Sequence, residues 1–118
     1  MKQQEHNLQV ACVNWFRMVY PNELIFAIPN GGARSAVTGA MLKAEGVTAG
    51  IPDLMIAARR ATYGGLFIEM KAGKAGRLSD AQRLMHHWLD DAGYCVEVCR
   101  SFDDFQRVVR WYMTRIGV

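Results

Sequence analysis

The stretch Phe67-Ile68-Glu69-Met70-Lys71 sets a carboxylate and an amine two residues apart inside an otherwise apolar run. The run reads as a strand over 65–72. Strand alternation then places Phe67, Glu69 and Lys71 on one face and Leu66, Ile68 and Met70 on the other. Charges buried without partners are costly, so the fold has to bring partners to them. A second strand, read over 52–58, is headed by Pro52-Asp53, and residues 61–64 read as a hairpin joining the two. That connection lays Asp53 beside Glu69. Two neighbouring carboxylates repel, a divalent cation relieves the repulsion, and hard oxygen ligands suit magnesium or manganese. Lys71 would face the same site and orient, or help deprotonate, an attacking water. The bland alternative is an ion pair between Glu69 and a nearby Lys or Arg. Glu-x-Lys and Pro-Asp are each common alone; their order on adjacent strands is the specific signal.

The remaining elements follow from periodicity and punctuation. Residues 5–19 read as a helix with Leu8, Ala11, Cys12, Trp15, Phe16 and Val19 on one apolar face, stopped by Pro21-Asn22. Residues 23–28 read as a short strand, Pro29-Asn30-Gly31-Gly32 as a turn, and 35–45 as a helix closed by Gly46. Gly73-Lys74-Ala75-Gly76-Arg77 reads as a basic loop. A helix follows over 79–92, with Leu84, Met85, Trp88, Leu89 and Ala92 expected inward and Gly93 ending it. Residues 94–99 read as a strand. Ser101 caps a last helix, with Asp104 as the capping-box partner and a stripe of Phe105, Val108, Val109, Tyr112 and Ile116. The expected architecture is α/β: a mixed sheet of about four strands with helices packed on it, including a right-handed βαβ unit from 65 to 99.

A chain of 118 residues fits one domain, with its core expected to form without disulfides. Cys12, Cys95 and Cys99 are an odd number with no CxxC pair, which argues against a disulfide framework or zinc ribbon and for buried thiols. A net charge of +3 permits nucleic-acid binding without demanding it. The polar N-terminus lacks the apolar core of a signal peptide and no apolar run is of membrane length, so a cytoplasmic protein with no membrane partner is expected. His86 and His87 lack metal-ligand spacing to another His or Cys and read as surface or partly buried. Trp111 is assigned to the polar side of the last helix, where it is either a partner contact or sits under a loop.

Several stretches together resemble a known family. Glu5, Pro29-Asn30-Gly31-Gly32, Gly46-Val47, Gly50-Ile51-Pro52-Asp53-Leu54, Gly65 through Lys71, and Leu78-Ser79 with Gln82 run in the order found in the VRR-NUC (virus-type replication-repair nuclease) family. That family belongs to the PD-(D/E)xK nuclease superfamily. The resemblance spans nearly the whole chain and implies a restriction-endonuclease-like αβββαβ core. It also implies magnesium dependence, with manganese substituting, and hydrolysis of DNA phosphodiesters to 5′-phosphate and 3′-hydroxyl ends. In that reading Asp53, Glu69 and the Met70 carbonyl hold metal and Lys71 orients water. Glu5 shares the buried stripe of its helix, within about 40° of Cys12, Phe16 and Val19, although an acid in a first turn also suits the helix dipole. The resemblance makes it a contributor to the metal site. Gln82 is explained by the Ser79 capping box alone; the resemblance adds that it faces the active site. Asn30, Arg34, Lys74, Arg77 and Arg83 become candidates for holding the DNA backbone, with solvated surface charge as the alternative. Some stand-alone members act as homodimers on branched DNA, so resolution of four-way (Holliday) junctions is expected, from a phage or prophage source. The rival readings are a monomeric flap or fork nuclease, a non-catalytic DNA-binding module of the same fold, and a small metal-dependent phosphoesterase.

Overall fold

The structure, a computed structural model, describes residues 3–29 and 36–116. Its elements are α1 (Gln3–Val19), β1 (Ile25–Ala27), α2 (Ala36–Ala44), β2 (Leu54–Ile56), β3 (Leu66–Met70), α3 (Asp80–Asp91), β4 (Cys95–Cys99) and α4 (Phe102–Met113). The strands form one sheet in the order β1-β2-β3-β4. The pairs β1–β2 and β2–β3 are antiparallel, and β3–β4 is parallel, connected through α3. The expected mixed α/β sheet is therefore present. Asn30, Gly31, Gly32, Arg34 and Ser35 lie outside the described residues.

One face of the sheet carries the core. Cys12, Trp15 and Phe16 of α1 and Phe105, Val108, Val109 and Tyr112 of α4 pack on Ile25, Leu54, Ile56, Leu66, Ile68 and Met70. Leu66, Ile68 and Met70 are the alternate residues of β3, so β3 points its apolar set down into this layer and turns Phe67 and Glu69 to the other face. The Tyr112 hydroxyl donates to the Ala58 carbonyl at 2.6 Å, which satisfies the one polar atom that α4 carries into the core. The three cysteines are buried and free, and burial pushes the Cys12 and Cys99 thiols up to about 12. They are inert core residues. No helix among the described residues is long and apolar enough to cross a membrane.

Several details differ from the sequence expectation. Ala11 and Val19 lie on the exposed side of α1, so its buried stripe is narrower than its apolar pattern. Ile116 is 85% exposed because α4 ends at Met113 with Thr114 as its cap. Asp104 does not close a capping box: its backbone N–H donates to Ser101 Oγ, while its carboxylate accepts from the Arg100 N–H at 3.0 Å. Trp111 sits beside Val108, lining a hollow with Glu97 and Arg107, and its ring lies under the Arg115 guanidinium at 4.8 Å. The largest difference is in α3. Leu84 and Trp88 are 52% and 65% exposed and Ala92 is exposed, while Met85 and Leu89 face inward as expected, joined by Gln82 and His86. The helix is rotated from the phase its bulkiest apolar residues suggest, and the reason lies in the polar contacts described below.

Gly50 fixes the loop that leads into β2. It has φ +89°, and a Cβ there would overlap the Ala81 carbonyl and come within 2.9 Å of the Gln82 nitrogen. The backbone just before Pro52-Asp53 thus lies directly on the first turn of α3, an approach that only glycine permits. We predict that Gly50→Ala costs roughly 2–4 kcal/mol from strain and backbone overlap. Urea denaturation measures it, and a loss under about 0.5 kcal/mol would show that loop and helix are not locked together.

Candidate active site

The antiparallel register of β2 and β3 pairs Leu54 with Ile68, so Asp53, one residue before Leu54, stands opposite Glu69, one residue after Ile68. Asp53 is 7% exposed and Glu69 2%, the only buried charged residues among those described. Asp53 Oδ2 accepts from the Met70 backbone N–H at 2.7 Å. Its own carbonyl accepts from the Ile28 N–H at 2.9 Å, which extends the β1–β2 pairing to the site. The Asp53 side chain also shares a hydrogen bond with Glu69. The other partners of Glu69 come from α3: Gln82 Nε2 donates to Oε2 at 3.3 Å, and His86 Nε2 lies 3.1 Å from Oε1. The simple ion pair to a Lys or Arg is not what holds Glu69.

Gln82 serves two purposes. Its Oε1 accepts from the Ser79 N–H at 2.9 Å and its backbone N–H donates to Ser79 Oγ, the complete capping box. Its Nε2 remains to hold Glu69. His86, one turn further along the same face, was not singled out by sequence as a site residue. The available signal was its i, i+4 spacing from Gln82.

Glu5 acts on the carboxylate pair by its charge, and Lys71 follows Glu69 by two residues, just past the end of β3. Glu5, half-buried on α1, lies close enough for its charge to act on Asp53, and it lines a cleft of about 290 Å³ with Gln4, Ala72, Ala75 and Gly76. Lys71 continues the β3–β4 pairing through its N–H to the Cys99 carbonyl at 3.0 Å. Its aliphatic stem runs along Gly76, where an added Cβ would meet Lys71 Cδ at 3.4 Å. Sequence reading also missed Arg100. Its Nη1 donates to the carbonyls of Gly73 at 3.1 Å and Gly76 at 2.5 Å, and its carbonyl accepts from the Gly73 N–H. The 73–77 loop is folded around this guanidinium.

Of the basic candidates, Lys74 and Arg77 are exposed on that loop. Arg83 is engaged at the start of α3, donating to the Leu78 carbonyl at 2.7 Å and pairing with Asp80. Asn30 and Arg34 lie outside the described residues.

Electrostatically the site favours a cation. Burial, then the hydrogen bond and charge of Glu69 and the charge of Glu5, push the Asp53 carboxyl up to about 7, against the opposing Met70 N–H. Among the described residues no three His, Cys, Asp or Glu side chains converge to hold a metal unaided. Two carboxylates plus a backbone carbonyl, waters and substrate oxygens are nevertheless a donor set that suits magnesium, which keeps much of its hydration shell. Because Met70 directs its N–H to Asp53, its carbonyl leaves the extended strand on the same edge.

A carboxyl whose folded-state pKa is raised contributes stability below the ordinary carboxylate range and loses it as pH rises through about 7. We therefore predict that Asp53→Asn, measured in EDTA, gains stability over the native chain as pH goes from 5 to 8. The amide keeps both hydrogen bonds and cannot ionise. The gain at pH 8 should be on the order of 2 kcal/mol, or several degrees in Tm. A Tm difference that does not change with pH would show that the pair is not electrostatically strained.

Comparison with known proteins identifies the fold that carries this site. The family model of the VRR-NUC domain matches residues 1–103. A solved structure titled VRR_NUC domain protein superposes with a TM-score of 0.81 at 26% identity, covering 100% of this chain and 95% of that one. A second, titled VRR_NUC domain, gives a TM-score of 0.63 at 20% identity over 94% of this chain and 99% of the other, a likeness of fold alone. No curated protein matches. The carboxylate pair thus sits in a nuclease-type fold, and the chain belongs to the VRR-NUC domain family.

Proposed function

We propose that this protein is a magnesium-dependent deoxyribonuclease with Asp53, Glu69 and Lys71 at its catalytic centre. The observation that carries the reading is the buried Asp53–Glu69 pair at the β2–β3 edge, beside the Glu5 cleft, in a chain of this family. Asp53, Glu69 and the Met70 carbonyl would hold the ion, with Glu5 reaching it directly or through water. A bound magnesium ion would supply an acidified water and a Lewis acid for the scissile phosphate. Met70 N–H fixes Asp53 and Gln82 fixes Glu69, so both carboxylates are oriented before substrate arrives. Lys71, on the face of Glu69, orients the water for in-line attack. The products carry 5′-phosphate and 3′-hydroxyl ends. Lys74 and Arg77, exposed on the loop beside the cleft, contact the phosphate backbone, together with Asn30 and Arg34. Arg83 joins them only if it leaves Asp80.

The same reading extends to a homodimer that resolves four-way junctions. A junction offers two equivalent strands, and symmetric cutting needs two centres related by a two-fold axis. Each chain carries a single carboxylate pair among its described residues, so two copies would supply the two centres.

We predict cleavage of DNA with magnesium or manganese, and binding with little cleavage in calcium, whose larger, looser shell positions water poorly. Glu69→Gln and Lys71→Ala should each lower kcat by at least about 100-fold. Glu5→Gln should lower it while leaving the Tm near native. Wild-type turnover by purified Glu69→Gln would overturn the assignment.

Light scattering should give twice the chain mass, and nicks on a labelled four-way junction should fall at symmetric positions. A monomer that prefers flaps would replace the junction reading with a flap-type nuclease.

A further inference from the structure

Helix α3 presents two polar side chains, four residues apart, to one carboxylate. Gln82 donates to Glu69 Oε2 at 3.3 Å and His86 lies 3.1 Å from Oε1. We propose that His86 is a positioning residue for Glu69, and that together with Gln82 it holds the carboxylate in the orientation that receives a divalent cation. The inference rests on the nuclease reading above and adds a residue to which neither motif nor spacing assigned a role.

The imidazole is well placed for this. Its side chain is 14% exposed against 3% for Glu69, so the contact is shielded from competing water. A carboxylate can only accept, so the ring nitrogen facing it carries the hydrogen, whether the ring is neutral or charged. The contact also explains the phase of α3. Turning Leu84 and Trp88 inward would carry Gln82 and His86 off Glu69 and leave a nearly buried carboxylate short of donors. The helix instead leaves two large apolar side chains in solvent and keeps the polar grip.

A direct metal ligand is the other role an imidazole could take. The geometry does not favour it: Nε2 is aimed at the carboxylate oxygen, and among the described residues no three ligating side chains converge. Donors that orient a ligating group typically change metal affinity 10- to 100-fold when removed.

The test is manganese binding measured by calorimetry on the full chain without DNA, beside steady-state cleavage. His86→Ala should weaken manganese binding at least about 10-fold and lower kcat, with KM for DNA little changed. His86→Gln, whose amide still donates, should recover most of the affinity; it also guards against a folding defect in the alanine variant. Electron spin-echo spectra of the manganese complex should lack the nitrogen coupling of a directly bound imidazole. Equal affinity in native and His86→Ala proteins would overturn the inference while leaving the nuclease reading intact. Nitrogen coupling that disappears in His86→Ala would overturn it in favour of direct ligation. A native protein that binds no manganese would overturn the nuclease reading itself, and this inference with it.

Discussion

Two acids facing each other across neighbouring strands are the constraint around which this molecule is arranged. Asp53 and Glu69 are both nearly inaccessible, and each is held by groups from a different part of the chain: Met70 N–H on one side, Gln82 and His86 on the other. Such a pair is unfavourable in an apolar sheet unless it is hydrogen-bonded, protonated or bridged by a cation. The surroundings supply the hydrogen bonds. Burial first, and then the neighbouring Glu69 and Glu5, still hold the Asp53 carboxyl above the ordinary carboxylate range. A divalent cation would relieve that cost, so under the proposed function metal affinity would share its origin with the raised Asp53 carboxyl.

The rest of the sheet serves that pair. Central β3 is hydrogen-bonded on both edges, antiparallel to β2 and parallel to β4. Its apolar residues bolt it to α1 and α4 through the core, while its opposite face carries Phe67 and the Glu69 that α3 grips. Gly50 brings the approach to β2 against α3, and Arg100 folds the loop between β3 and α3. Loop, strand and helix therefore meet at fixed distances around Glu69.

Much of this was legible in the sequence. Apolar periodicity together with the Gly, Pro and capping signals located the eight elements, because core strands and core helices differ in period and end in different residues. The juxtaposition of Asp53 with Glu69 followed from a hairpin and strand alternation, both local rules. The failures have a different physical character. The rotation of α3 was unreadable from hydrophobicity because hydrogen bonds to a residue of β3 set its phase, not the partition of Leu84 and Trp88. His86, read as surface or partly buried and found partly buried, was given no site role because its partner is seventeen positions away on another element. Arg100 was passed over for the same reason: its acceptors are backbone carbonyls of Gly73 and Gly76, which carry no residue-type signal.

The double engagement of Gln82 narrows what position 82 can tolerate. A glutamate closes a capping box as well as glutamine does, and helix propensity hardly separates the two. At this position, however, glutamate would turn an acceptor toward Glu69 where a donor is required, and would add a third acid beside two that already repel. Asparagine would be a methylene shorter, with two partners to reach across the helix start. The side chain that starts α3 is therefore also one of the two that tie it to Glu69 of the sheet. Variation at position 82 is confined by the helix start and by the carboxylate at once.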